Sequence, residues 1–304
     1  MKATRRTFVK NSALLITGTA LLPKSIFAAA PPQTLTGVQL YSVRDDMKND
    51  PMGTLQKLSK MEYRYVEHAN YQDRKFYGYS ASEFKKILND LGLQMPSGHT
   101  VMRQQHWDEN AKDFTTEWKN TVEDAAILGQ QYVISPWLDE SFRKNEDELL
   151  RFMEVFNKSG ELCKKSGMLF GYHNHDFEFN TMINGKKMYD IILKNTDPKL
   201  VIHQIDIGNM YGVGGRAGEI IKQYPGRFQS MHVKNEIKSA KGEMEGGYES
   251  SILDKGVINV KEIIDLGKKT GGTKHFIIEQ ESYQGKTPLA CVEEDLKIMK
   301  RWGY

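Results

Sequence analysis

The stretch GMLFGYHNHDFEFN, residues 167–180, contains the pattern that decides how the whole chain is interpreted. It opens with Gly167, a residue suited to end a helix in the left-handed conformation. An apolar and aromatic run typical of a buried strand follows at residues 169–173. Two histidines and two acidic residues then lie close together. Ionisable side chains are costly to bury unless they are paired or bind a metal, so their position at a strand end indicates a functional site.

The same order of elements recurs along the chain. Short β-branched or aromatic runs predict eight strands, at residues 37–41, 65–67, 94–99, 132–135, 169–173, 200–205, 228–233 and 275–279. Amphipathic segments between them predict helices at residues 54–61, 81–91, 109–128, 146–165, 188–194, 258–269 and 288–299. Gly92 and Gly129, like Gly167, separate a helix from a strand. This alternation predicts parallel strands joined by right-handed crossovers.

Such units can form either an open doubly wound sheet or a closed barrel. An open sheet that binds a dinucleotide carries a glycine fingerprint after its first strand, and here that place is taken by SVRDD, residues 42–46. We therefore predict an α/β protein with a single domain, a (β/α)8 or TIM barrel over residues 31–304. The long irregular segment at residues 235–256 is expected to form a loop of the active site.

Residues 1–30 have the composition of a twin-arginine-like signal peptide. Arg5 and Arg6 are followed by Phe8 and Lys10, then by an apolar stretch at residues 13–22 and the small-residue end FAAA. The apolar stretch is shorter than the roughly 20 residues that span a bilayer. We expect export to the periplasm, without stable membrane insertion after the signal is removed. An uncleaved segment lying on the membrane is the alternative interpretation.

Composition excludes some partners. The formal net charge is +3, and five of the basic residues belong to the leader, so the remaining chain is close to neutral and predicts no nucleic-acid binding. The two cysteines, Cys163 and Cys291, have no spacing typical of a disulfide or metal motif, and we expect them to be packed in the interior. Assembly as a homodimer is an expectation with no residue pattern behind it.

The carboxyl ends of barrel strands build the active site, so the residues found there are informative. Asp206, His232 and Glu279 end three successive predicted strands and should be neighbours. Two carboxylates and one imidazole suit one divalent ion, Mn²⁺, Co²⁺, Mg²⁺ or Zn²⁺. The preceding strand should supply a fourth ligand, and His173 is the first candidate, with His175 on the same side of the chain.

At this point the sequence resembles the xylose-isomerase-like barrel superfamily of sugar phosphate isomerases and epimerases, which also includes myo-inosose dehydratases. The motifs that carry the resemblance are GVQLYSVRD, GYHNHDFEF, HQIDIGN, PGRFQSMHVKNE, LDKGVIN and FIIEQES, and they cover most of residues 31–304. The resemblance implies metal ligands at Asp206, His232 and Glu279. It also implies a glutamate as fourth ligand, where this chain has His173; His175 and Glu178 are the alternatives.

The implied chemistry is removal of a proton next to a sugar carbonyl through a metal-bound enediolate. The catalytic candidates are Glu279, His175 and His99 for proton transfer and Lys234 for neutralising charge on oxygen. The substrate-binding candidates are Glu67, Tyr41, Arg227 and Trp137, the aromatic rings because they can stack on a sugar. Bracing of the site is the alternative role for Glu67 and Arg227, and a solvated side chain is an equal alternative for Arg227.

Three functions follow from this chemistry. If the proton returns, the protein is an isomerase or epimerase, which is the primary prediction. If a β-oxygen leaves, it is a lyase or dehydratase, acting on a keto-sugar or on a 3-keto-glycoside whose aglycone departs. An exported member of the family would meet unphosphorylated sugars, which favours this second alternative. A third function is a sugar-binding barrel without turnover.

Overall fold

The computed structural model describes residues 34–239 and 246–304. The predicted signal peptide, residues 1–30, therefore lies outside the described residues. Residues 34–304 contain the barrel, and the following description concerns that part of the chain.

Eight parallel strands close into a barrel, which confirms the predicted fold class. In chain order the strands are β1 (Leu35–Gln39), β2 (Tyr65–His68), β3 (Gln94–His99), β4 (Tyr132–Ser135), β5 (Leu169–His173), β6 (Val201–Asp206), β7 (Ser230–Val233) and β8 (His275–Ile278). Each strand pairs with its sequence neighbours, and β8 pairs with β1 to complete the circle. Every strand predicted from the sequence is present, with end positions that differ by up to two residues.

Helices cover the outside of the barrel. They are α1 (Arg44–Asn49), α2 (Pro51–Lys60), α3 (Ala81–Asp90), α4 (Thr116–Leu128), α5 (Glu146–Lys165), α6 (Phe177–Asn180), α7 (Met188–Asn195), α8 (Ala217–Gln223), α9 (Val260–Leu266) and α10 (Pro288–Trp302). Short 3₁₀ turns lie at Leu40–Val43, Gln104–His106 and Glu140–Arg143, and a π turn at Gly267–Gly271. Gly129 ends α4 with φ of 86°, the left-handed conformation predicted for it.

Several short antiparallel strands stand outside the barrel. Tyr71–Gln72, Lys75–Phe76 and Tyr79–Ser80 form a three-stranded sheet between β2 and α3, and Trp107–Asp108 pairs with Asp113–Phe114 before α4. Met182–Ile183 pairs with Lys186–Lys187, and Asn235–Lys238 pairs with Tyr248–Ser251.

Two sequence predictions are corrected here. The helix predicted from residue 109 begins only at Thr116, because Asp108 accepts hydrogen bonds from the backbone N–H groups of Asn110 and Ala111 and turns the chain into a hairpin. The segment predicted as a loop at residues 235–256 contains the antiparallel hairpin Asn235–Lys238 with Tyr248–Ser251.

Apolar faces of the helices pack against the outer side chains of the strands, as Leu55, Phe84 and Phe156 illustrate by their complete burial. Cys163 and Cys291 are both buried and carry free thiols, as expected for packed side chains. Within residues 34–239 and 246–304, no helix is both long and apolar enough to cross a membrane.

The strand register brings the predicted ligands to one height. Asp206 at the end of β6 pairs with His232 on β7, and His232 pairs with Ile277 on β8. Glu279 follows β8 directly and lies two residues beyond Ile277, the residue that pairs with His232. The side chains of Glu279 and Ile277 therefore point to the same side of the chain. The carboxyl ends of β5 to β8 therefore gather around one point.

Candidate metal centre

A cavity of about 930 Å³ opens at the carboxyl end of the barrel. Its inner part, which we call the floor, is lined by side chains from β3 and β5 and from the segments after β5, β6 and β8. These floor residues are His99, His173, His175, Asn209, Glu279 and Glu281. The floor is polar, as the run of titratable residues at the predicted strand ends requires.

Glu279 of the floor forms a group of possible metal ligands with the fully buried Asp206 and His232. Each offers one ligand atom, and these atoms lie within 4.8 Å of one another. His232 Nδ1 is 3.0 Å from Glu279 Oε2 and 3.7 Å from Asp206 Oδ2. The three residues predicted as ligands are thus brought together, and all three are buried.

The environment of Asp206 fits a bound cation. Its Oδ1 accepts hydrogen bonds of 2.8 Å from the backbone N–H groups of Gly208 and Asn209. Its Oδ2 is buried, and no group among the described residues donates a hydrogen bond to it, although Lys234 Nζ lies 3.2 Å away. Lys234 compensates the charge of this oxygen, which has no hydrogen bond from a described residue and can also bind a cation. A divalent ion beside His232 and Glu279 would satisfy it, and two carboxylates with imidazole suit Mn²⁺, Co²⁺ or Zn²⁺.

The structure separates the three candidates for the fourth ligand. His173 Nε2 lies 4.0 Å from Asp206 Oδ2, and His173 also forms a second ligand group with His99 and His232. Glu178 points away, because its carboxylate accepts hydrogen bonds from the Tyr172 hydroxyl and from the backbone N–H of His175. His175 lines the cavity but belongs to neither ligand group found among the described residues. His173 is therefore best placed to complete the set.

Glu67 lies beneath the ligands rather than in the cavity. Its Oε1 is 2.6 Å from His232 Nε2 and accepts a hydrogen bond of 2.8 Å from Gln39, while Oε2 accepts from Gln204 and Ser97. Burial opposes its ionisation, but His99, His232 and these hydrogen bonds hold the pKa of Glu67 at about 2. Glu67 has the alternative predicted role of bracing the site rather than contacting substrate, because the side chain is fully buried and its oxygens are occupied by protein groups.

Lys234 lies behind the ligands in a cluster of carboxylates. Its Nζ is 2.8 Å from Glu279 Oε2, 3.2 Å from Asp206 Oδ2 and 2.6 Å from Glu281 Oε1. It also donates a hydrogen bond of 3.0 Å to Asn209 Oδ1. Burial alone would lower the pKa of Lys234, yet these carboxylates raise it well above its usual value. The side chain is a permanent positive charge that holds the acidic residues in place.

His99 and His175, the predicted proton-transfer histidines, both line the cavity. His99 Nε2 is 2.7 Å from Gln204 Oε1. Burial lowers the pKa of both imidazoles, that of His175 to about 4, so both rings are neutral at pH 7. His175 Nδ1 is buried and has no hydrogen-bond partner within the described part of the chain.

Tyr41 and Trp137, predicted to contact substrate, are at the cavity wall. Tyr41 is 42% exposed. The Trp137 ring meets the His175 ring edge to face at 5.2 Å between centroids, and the Arg143 guanidinium covers it at 4.5 Å. Trp137 is therefore held in position next to a possible proton-transfer residue.

Arg227 is the predicted site residue that the structure places elsewhere. It precedes β7, at the amino end of the barrel, and its guanidinium donates hydrogen bonds to the carbonyl groups of Leu193 and Thr196. These hydrogen bonds tie the end of α7 to the segment that leads into β7. The predicted substrate contact is wrong, because active-site groups gather at the opposite, carboxyl end of the strands.

Three polar residues of the site were not selected from the sequence. Gln204 bridges His99, His173 and Glu67, and Asn209 bonds Lys234. Glu281 lines the cavity and bonds Lys234. The sequence does contain a signal for Gln204 and Glu281. Each lies two residues from a predicted ligand, Asp206 and Glu279 respectively, and alternate residues of a strand point to the same side.

The closed parallel barrel and the carboxylate and imidazole group at its carboxyl end define a (β/α)8 protein with a candidate divalent-metal site. Residues 55–302 match the family described as xylose isomerase-like TIM barrel. The chain belongs to that family, which confirms the resemblance seen in its motifs.

Individual relatives are more distant. An inosose dehydratase from Clostridium perfringens is 32% identical over 110 residues, which are 36% of this chain and 35% of that protein. The chain thus matches about a third of the length of this relative. A sugar phosphate isomerase/epimerase from Parabacteroides distasonis ATCC 8503 has a TM-score of 0.73 at 24% identity, covering 91% of this chain and 97% of that chain.

The IolI protein with a bound zinc atom has a TM-score of 0.67 at 14% identity, covering 89% of this chain and 98% of that chain. The likeness to these two solved structures shows the fold.

Proposed function

We propose that this protein is a divalent-metal-dependent enzyme that removes a proton from the carbon next to the carbonyl group of a sugar or keto-sugar. The observation that carries the proposal is the convergence of Asp206, His232 and Glu279, with one carboxylate oxygen buried and lacking a hydrogen bond from any described residue. When bound, one divalent ion supplies a Lewis acid that stabilises negative charge developing on the carbonyl oxygen. The IolI neighbour, which has a similar fold, binds a zinc atom, and this supports a divalent metal in the present protein.

Residues of the chain supply the remaining steps. His175 lines the cavity, and burial lowers its pKa to about 4, so its neutral imidazole is the first candidate to accept the proton. Glu279 is the second candidate, although its Oε2 already contacts Lys234 and His232. Trp137 lies against His175 and offers an apolar ring on which a sugar face can stack.

The primary candidate reaction returns the proton to the substrate, which makes the protein a sugar isomerase or epimerase. His99 and His175 both line the cavity as neutral imidazoles, so either can accept the proton, and the imidazolium formed can then return the same proton at another position. The sugar phosphate isomerase/epimerase from Parabacteroides distasonis supports this reaction through its similar fold.

The second candidate reaction is elimination, in which an oxygen on the β-carbon leaves as water or as the aglycone of a 3-keto-glycoside. The inosose dehydratase relative supports elimination. Its identity to this chain is 32% over 110 residues, higher than the 24% of the sugar phosphate isomerase/epimerase, although its match covers a smaller part of the chain. In this reaction a neutral imidazole of the cavity accepts the proton, and the imidazolium formed then gives that proton to the departing oxygen.

One experiment tests the shared step. The protein is loaded with Mn²⁺, Co²⁺ or Zn²⁺ and incubated in D₂O with ketoses and 3-keto-glucosides, and proton exchange next to the carbonyl is followed by NMR. We expect deuterium incorporation with at least one metal. A rearranged sugar identifies the isomerase or epimerase, and a free aglycone or an unsaturated product identifies the lyase.

The matched control is Asp206→Asn, which keeps Oδ1 as acceptor for Gly208 and Asn209 and replaces Oδ2 by an amide. Exchange should disappear in this variant while the protein stays folded. Wild-type protein that binds sugars without any exchange would contradict the proposal and identify the non-catalytic sugar-binding barrel.

We also propose export of this protein, on the basis of residues 1–30 alone. The test is fractionation of cells that express the full chain with and without Arg5→Lys and Arg6→Lys. Periplasmic protein that depends on the arginine pair supports export by the twin-arginine route. Equal distribution of both forms contradicts it.

A further inference from the structure

The cavity is larger than one sugar ring. A hexose has about twelve non-hydrogen atoms, and if each is given the liquid volume of a water molecule, about 30 Å³, the ring takes up at most ~360 Å³. The cavity measures about 930 Å³. A sugar bound at the floor next to Asp206 and Glu279 therefore leaves more than half of the cavity open.

The remaining space is bounded by segments outside the barrel strands, and we call this boundary the outer wall. It consists of the cavity-lining residues of the three-stranded sheet after β2, of the segment after β3 and of α4. The outer wall includes Tyr71, Gln72, Arg74, Arg103, Glu117 and Asn120. Their amide, phenol, guanidinium and carboxylate groups are those that hydrogen-bond to hydroxyl groups.

Hydrogen bonds between the segments hold the outer wall in shape. Asp124 on α4 accepts from the Tyr71 hydroxyl at 2.7 Å and from Arg74 at 2.7 Å and 3.0 Å. Arg74 also pairs with Glu123 at 2.7 Å. The sheet after β2 is thus fastened to α4, so a ligand that binds there meets a preformed surface.

The basic groups of the outer wall are already paired with carboxylates. Arg74 is paired with Glu123 and Asp124, and Arg103 with Asp139 at 3.0 Å. Asp73 and Glu117 add further negative charge at the cavity. No described part of the wall offers an uncompensated cation to a phosphate, which prefers paired or clustered basic groups. The wall suits a neutral ligand rich in hydroxyl groups.

We propose that the outer wall is a second sugar subsite, so that the substrate is a neutral glycoside with at least two units, one at the floor and one against α4. This inference rests on the proposed function, which places the reacting sugar at the floor. It assigns substrate choice to residues that take no part in holding a metal.

The test measures binding, not turnover. The metal-loaded protein is titrated by calorimetry with methyl glucoside, with the disaccharides maltose, cellobiose, trehalose and lactose, and with glucose 6-phosphate. We expect at least one disaccharide to bind about tenfold or more tightly than methyl glucoside. Equal affinities, or glucose 6-phosphate as the tightest ligand, would overturn the subsite.

Two variants locate the effect. Asn120→Trp and Gln72→Trp fill the outer space from two different segments and should abolish the disaccharide preference while methyl glucoside affinity and metal content stay unchanged. Thr116→Trp is the control, because it places the same side chain on the exposed start of α4, outside the lining of the cavity. Equal weakening of both ligand classes in the two cavity variants would contradict a separate subsite.

The experiments distinguish failure of the second subsite from failure of the proposed function. The ratio of disaccharide to methyl glucoside affinity depends on the outer wall and should persist in Asp206→Asn, which lacks a metal ligand. A preserved ratio with no proton exchange in the wild-type protein overturns the enzymatic proposal alone. Exchange without any disaccharide preference overturns the subsite alone.

Discussion

His232 Nε2 lies 2.6 Å from Glu67 Oε1, on the opposite edge of the ring from the nitrogen that faces the other candidate ligands. Nδ1 of the same ring is 3.0 Å from Glu279 Oε2. Because Glu67 is an ionised carboxylate, it fixes a proton on Nε2. Burial alone would lower the pKa of His232, but Glu279 and Glu67 raise it well above its usual value, and a bound metal ion would take the place of the Nδ1 proton. The buried glutamate thus sets the orientation of a ligand that it adjoins from below.

Replacement of Glu67 by Gln should weaken metal binding by about 10–100-fold, the usual effect of losing a group that orients a histidine ligand. The affinity is measured by competition with a zinc-binding indicator. The control is Ser97→Ala, which removes a different hydrogen bond to Glu67 and leaves His232 untouched. Unchanged zinc affinity in Glu67→Gln would show that the pair does not act on the metal.

The fourth ligand can be identified by comparing three variants. We expect His173→Ala to lose most of its bound metal, whereas Glu178→Gln and His175→Ala keep about one ion per chain, because neither belongs to a ligand group. Elemental mass spectrometry after dialysis measures the metal, and circular dichroism checks the fold. Metal loss in Glu178→Gln with full content in His173→Ala would reverse the assignment.

The buried charge of Lys234 predicts that the metal-free protein depends on this residue for its stability, and that a metal ion can partly replace it. Lys234→Met leaves Glu279, Asp206 and Glu281 without their buried cation, so the free energy of unfolding of the metal-free protein should fall by about 3–5 kcal/mol. Added Mn²⁺ should recover part of this loss, because it compensates the same carboxylates.

The loss is read from urea unfolding curves with and without the ion. Lys255→Met, which breaks an exposed pair with Glu294, is the control and should change the free energy of unfolding by less than about 1 kcal/mol. A Lys234→Met protein as stable as wild type in the absence of metal would contradict the prediction.

The buried carboxyl group of Asp295 predicts that the protein loses stability as the pH rises. This carboxyl group is buried on α10; Oδ1 accepts from the Leu253 N–H, and Oδ2 has no hydrogen-bond partner among the residues described. Burial raises the pKa of Asp295 to about 8. Because the folded-state pKa is raised, the stability associated with the protonated form is complete below the unfolded-state pKa and is lost as pH rises through about 8.

Asp295→Asn keeps the acceptor for Leu253 and cannot ionise. The variant should therefore be more stable than wild type by ~2–4 kcal/mol at pH 8, with a smaller difference at pH 5. Thermal unfolding at both pH values measures the difference. Glu293→Gln on the same helix, a partly exposed control, should show none of this dependence. A difference between Asp295→Asn and wild type that is the same at both pH values would contradict the raised pKa.

The sequence predicted the barrel because strand and helix periodicities are local properties, and the register of neighbouring strands then follows from closure. Asp206, His232 and Glu279 were predictable for the same reason, since each comes at the end of an apolar run. Arg227 was misplaced although it precedes its strand, and a position before a strand lies at the amino end of the barrel.

Glu67 and Gln204 show what local pattern cannot reveal. Both lie in barrel strands and both are fully buried, but the depth at which a polar side chain lies between floor and interior depends on strand tilt and on which partners it finds. Those partners are distant in sequence: Glu67 bonds Gln204, 137 positions away, and His232, 165 positions away. Such pairings require the closed barrel.

The three-stranded sheet at Tyr71–Gln72, Lys75–Phe76 and Tyr79–Ser80 and the hairpin before α4 take no part in the barrel hydrogen bonds. The chain therefore carries its floor on the barrel strand ends, whereas part of its outer wall comes from inserted excursions and part from α4. Substitution of the exposed residues of the excursions would leave the closed barrel and its ligand geometry in place, whereas the buried Phe76 has to be kept. Directed evolution toward new glycosides can begin in these inserts, with reactivity and selectivity varied one at a time.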